Sequence, residues 1–90
     1  MALSKISIKD YDRFILNVIR NLEINRRISL LTFKKDRKIS ILRLTEELFS
    51  IEEEGFKIRT FENLDKHQLI KISKKLKDIE FPRSNILYVK

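Results

Sequence analysis

Lys71, Lys74 and Lys75 stand three and four residues apart along a 90-residue chain. In a helix that spacing puts three ammonium groups on one face, a row of cations suited to the phosphates of a polyanion. The same segment offers Gln68 near its start as its one side chain apt for reading a base edge, so a nucleic acid held there would be gripped by its backbone more than by its sequence. A second basic region comprises Arg26, Arg27, Lys34, Lys35, Arg37 and Lys38, with Arg43 beyond it and Asp36 as its lone acid. Its arginines have the planar fork that grips phosphate oxygens in pairs. Phe33, Phe56, Phe61 and Tyr88 have faces on which single-stranded bases can stack, although aromatics so spaced more often fill a core. These residues together predict a nucleic-acid partner, DNA ahead of RNA.

The acids are as localised as the bases. Glu52, Glu53 and Glu54 follow Glu46 and Glu47, and on a helix three consecutive residues point about 100° apart, so they cannot close on one metal ion or act as a catalytic pair. The triplet is read as a docking patch for a protein partner, with ion pairs to Lys57, Arg59 or the basic region as the plainer reading. His67 is the only histidine, cysteine is absent and there is a single glycine. That leaves no second zinc ligand, no activated nucleophile and no glycine-rich phosphate loop. The expectation is a non-catalytic protein with no cofactor, no metal and no small-molecule substrate.

Net charge divides into three blocks: +7 over residues 1–45, −4 over 46–64 and +4 over 65–90, which sum to the chain's +7. A basic body with a confined acidic stretch suits a small nucleic-acid-associated protein, or alternatively an accessory subunit docked on a larger replication, transcription or ribosomal assembly. The absence of cysteine, of a leader-like start and of any long apolar run predicts a cytoplasmic protein without a membrane partner. Abundant Ile, Lys, Arg and Glu is the composition of a thermophile's protein, and an AT-rich genome also favours Ile and Lys. Ninety residues make one small basic domain, 1–90, burying about 60–65 % of its unfolded surface.

The elements that must position these side chains are read from periodicity and caps. Tyr11, Phe14, Ile15, Val18, Ile19 and Leu22 recur at helical spacing behind Ser7, and predict a helix over 8–25. Ile41, Leu44, Leu48 and Ile51 do the same behind Ser40, and Gly55 supplies a C′ stop with Ile51 and Phe56 as its apolar pair, so a second helix is predicted over 40–54. Asp65 and Gln68 make a capping box, Leu64 and Leu69 flank it, and Leu69, Ile72, Leu76 and Ile79 share a face up to the stop at Pro82, giving a helix over 66–80. Short strands are assigned to 28–33, 56–61 and 85–89. The reading is a mainly α fold with a small β component (α+β).

The order helix, strand, helix, helix, strand resembles a winged-helix domain, loosely and in topology alone. That resemblance implies that the last helix enters a DNA major groove, with Lys71, Lys74 and Lys75 on its recognition face. The ten residues 55–64 between the last two helices exceed the three or four usual in a helix-turn-helix.

Overall fold

The computed structural model describes residues 4–32, 34 and 36–90. In chain order it has β1 (Ser4–Ser7), a 3-10 turn (Ile8–Asp10), α1 (Tyr11–Asn21), β2 (Arg27–Leu31), β3 (Lys38–Arg43), β4 (Phe49–Glu54), β5 (Ile58–Leu64), α2 (Lys66–Glu80) and β6 (Ile86–Val89). The strands form one antiparallel sheet in the order β1-β6-β2-β3-β4-β5. α2 packs on β3, β4 and β5, α1 reaches β1, and the two helices touch. They run in opposite directions: Tyr11 at the start of α1 meets Ser73 and Lys77 in the second half of α2, its hydroxyl donating to the Ser73 carbonyl, whereas Ile19 near the end of α1 borders a cleft with Lys66 and His67 at the start of α2.

The registers explain which residues are inside. Ile28, Ile41 and Ile51 stand side by side across β2, β3 and β4, with Leu30 and Ile39 paired in the next row, and this face meets Tyr11, Ile15, Leu69 and Leu76 of the helices. β-branched side chains on a pleated surface pack well against an aliphatic helix stripe, and their burial is the main source of stability in so small a chain. Among the described residues no element covers the other face. It carries Arg27, Ser29 and Leu31 on β2, Lys38, Ser40 and Leu42 on β3, and Ser50, Glu52 and Glu54 on β4. The Ser29 and Ser40 hydroxyls are 2.8 Å apart across it.

This architecture overturns the mainly α reading. Among the described residues there are two helices and six strands, and the predicted second helix over 40–54 is instead most of β3, a turn and β4. The turn is held by Thr45, whose hydroxyl accepts from the Glu47 and Leu48 amides. With that helix gone, the winged-helix likeness fails. Gly55 is no helix cap: it lies in the β4–β5 connection with φ outside the left-handed region, and a Cβ there would overlap the Glu80 carboxyl. The strand assigned to 56–61 runs later, as β5, and Asn63 adopts a positive φ of 57° beside the register shift opposite Ser50.

The predicted first helix is shorter than 8–25. Ser7 caps only the 3-10 turn, accepting from the Lys9 amide, and Leu22 is extended at ψ 126°. The end of α1 is closed by Arg43: its Nη1 donates to the carbonyls of Ile19 and Leu22, both at 2.9 Å. α2 has the predicted bounds, with both hydrogen bonds of the Asp65–Gln68 capping box in place. The strands expected over 28–33 and 85–89 are β2 and β6 with slightly different ends, Phe33 lying outside the described residues.

Candidate nucleic-acid interface

α2 seats its cations through a division of faces. Leu69, Ser73, Leu76 and Glu80 point inward, so Lys71, Lys74 and Lys75 lie on the opposite side, exposed to solvent. None of the three has an ion-pair partner among the described residues. The neighbouring acid Asp78 is engaged by Lys77, 3.9 Å away, and Lys77 also lies over the Tyr11 ring. Lys66, in the first turn, is exposed as well. Gln68 does not read outward: its Oε1 accepts from the Asp65 amide at 3.0 Å. The helix therefore presents point charges without a base-reading side chain.

The second basic region is dispersed. Arg27 reaches across β3 to Glu52 at 3.2 Å, and Lys38 pairs with Glu54 at 3.4 Å. Arg37 turns toward the end of α2, donating to the Ile79 carbonyl and standing 3.9 Å from the Glu80 carboxylate. Arg26 is near Glu23 at 4.0 Å, Lys34 is exposed, and Lys35 lies outside the described residues. Arg43 is turned inward, with the Glu46 and Thr45 carbonyls as further acceptors and its guanidinium 5.0 Å from the Phe49 ring centre. Sequence proximity gathered these cations, and strand pairing distributes them among acids on neighbouring strands.

The glutamate triplet is divided by the same alternation. Glu52 and Glu54 lie on the uncovered sheet face, whereas Glu53 points under α2 and is 0 % exposed. Arg59 donates to Glu53 Oε1 at 2.7 Å. Glu80, 1 % exposed in the last turn of α2, meets Glu53 there and accepts from the Phe56 amide at 3.0 Å. Burial works against charge on Glu53, but the hydrogen bond with Glu80 and the Arg59 guanidinium outweigh it and hold its carboxyl below the ordinary range. Burial and the contact with Glu53 push Glu80 up. Of the two carboxyls Glu80 therefore holds its proton the more tightly, and Glu53 Oε2 is buried without a hydrogen-bond partner among the described residues. Sequence reasoning missed this cluster, although an acid at the end of α2, set against the helix dipole, was a signal available for it.

His67 is exposed and borders a cleft of about 350 Å³ with Arg43, Lys66, Glu46 and Asp65. Among the described residues no three His, Cys, Asp or Glu side chains converge as metal ligands. Of the aromatics, Phe61 packs against the core beneath Arg59, Lys5 lies 5.5 Å over the Tyr88 ring, and Phe56 is 67 % exposed. No helix of the described residues is long and apolar enough to cross a membrane.

The chain matches no family model, no curated protein and no solved structure.

Proposed function

We propose that the chain is a small, non-catalytic nucleic-acid-associated protein that holds backbone phosphates on the outer face of α2. The observation that carries this reading is the row of Lys71, Lys74 and Lys75, solvent-exposed and without an acidic partner among the described residues. Lys66, although exposed, lies off this row, at the cleft with Arg43. Lysines act as hydrated point charges, and with Gln68 turned to its own cap the grip is independent of sequence. Arg26, Arg27, Arg37 and Lys38 contribute less, because each already has an acid near it.

Titration of labelled duplex DNA, single-stranded DNA and RNA at several salt concentrations tests the proposal. Three phosphate contacts on duplex DNA give a log K against log salt slope of about −2.7. Absence of binding to every nucleic acid at about 50 mM salt refutes it.

A second reading, an accessory subunit of a larger assembly, draws on Phe56 and Ile58, 67 % and 85 % exposed around the β4–β5 connection. The acidic contribution to such a surface reduces to Glu52 and Glu54, since Glu53 is buried. In that reading Phe56→Ser abolishes partner binding while leaving the fold and phosphate binding intact.

A further inference from the structure

The uncovered sheet face differs in charge from the helix layer. On it, cations occupy the half made of β1, β6 and β2: Lys5 on β1, Arg27 on β2 and Lys90 following β6. Acids dominate the half made of β3, β4 and β5, with Glu52 and Glu54 on β4 and Glu62 on β5 in alternation with Ile58 and Thr60, against the one cation Lys38 on β3. The face is thus close to neutral in a chain of net +7, and polarised across its strands. Its middle sets the buried Ser29, Ser40 and Ser50 beside Leu31 on β2 and Leu42 on β3. Its rims carry exposed apolar side chains, Ile58 at 85 % and Ile86 at 52 %.

From this pattern we infer that the face docks on a second copy of the chain, sheet against sheet, about a two-fold axis parallel to the strands and midway between β2 and β3. That operation turns left into right. It lays β5 of one copy over β1 of the other, β4 over β6, and β3 over β2. Each cationic half then covers an acidic half, Ser40 faces Ser29, and Ile58 lies against the partner edge that carries Lys5 and Tyr88. The alternative in-plane axis, across the strands, sets like charge over like and is disfavoured. Stacked sheets sit about 10 Å apart with interdigitating side chains, and Leu31 and Leu42 beside the serines offer the apolar surface for such a contact. The two longer molecular extents, 32 and 28 Å, bound a face large enough for the roughly 800 Å² per partner that a standard interface buries. Arg27–Glu52 and Lys38–Glu54 pairs then join networks spanning both copies, and both α2 lysine rows stay on the outside.

Sedimentation velocity on the full chain across a range of concentrations tests this directly, with substitutions at Ile58, whose exposure makes it dispensable for the fold. The parent chain sediments at twice 10.9 kDa, less so at high salt. Ile58→Lys sets a cation over the partner's Lys5 edge and raises the dissociation constant about tenfold or more, whereas Ile58→Glu maintains or tightens the dimer. Arg20→Glu, in the helix layer, leaves the mass unchanged. A monomer at every concentration overturns the inference. So does a dimer indifferent to residue 58, and so does one in which Lys tightens and Glu loosens, because that sign belongs to the other axis.

Discussion

Glu80 is an acid in the last turn of a helix, almost wholly excluded from water and set beside a second carboxyl, and its protonation governs a stability profile that simple surface charge would not give. Its carboxyl is raised in the folded chain, so its contribution is complete below the ordinary glutamate value of 4.5 and is lost as pH rises through the raised value. Glu53 is lowered, so its contribution is complete above that value and is lost as pH falls through the lowered one. Stability from the pair is therefore greatest between the two and declines toward alkaline pH. Glu80→Gln, which donates a hydrogen bond without titrating, removes the alkaline decline. Thermal melts at neutral pH and above then place the variant above the parent by about 4–8 °C for each kcal/mol recovered. Equal pH slopes in the two proteins contradict a raised Glu80 carboxyl. Gly55 belongs to the same cluster: Gly55→Ala forces a methyl onto a carboxyl pinned by the Phe56 amide, at an expected cost of about 1–3 kcal/mol in denaturant unfolding.

At the scale of elements, α2 was legible because its signals are local: a capping box, a hydrophobic stripe and a proline just beyond its end. β3 and β4 were not. Ile41, Leu44, Leu48 and Ile51 fit the helical period, and their connection, Thr45-Glu46-Glu47, contains no glycine, proline or asparagine to announce a hairpin. The strand period was masked because the core-facing rows end in charged side chains, Arg43 on β3 and Glu53 on β4, each satisfied by partners distant in sequence. Arg43 illustrates the consequence: read along the chain it joins a basic stretch, and in the fold it ties the end of α1 to the β3–β4 turn. Arg43→Ala is expected to cost about 2 kcal/mol by urea unfolding. Asp65→Ala, which removes half of a capping box, is expected to cost about 1 kcal/mol in the same measurement.

Across the whole molecule, the three charge blocks of the sequence become two surfaces of different character. The helix layer is cationic where Lys71, Lys74 and Lys75 line α2, and the opposite sheet face is nearly balanced because strand pairing sets Arg27 and Lys38 beside Glu52 and Glu54. The α2 row was readable in the sequence, since helical spacing alone determines it. The discounting of the other basic region was not, since it depends on β2, β3 and β4 being neighbours in a given register. The central claim is that phosphate binding belongs to α2 and not to the basic stretch before it. The most direct measurement compares duplex DNA binding at about 50 mM salt by Lys71→Glu/Lys74→Glu/Lys75→Glu and by Arg27→Glu/Lys38→Glu, each confirmed folded by circular dichroism. Loss of binding in the first, with affinity within a few-fold of the parent in the second, is the result expected; parent-like binding by the first variant would contradict the account.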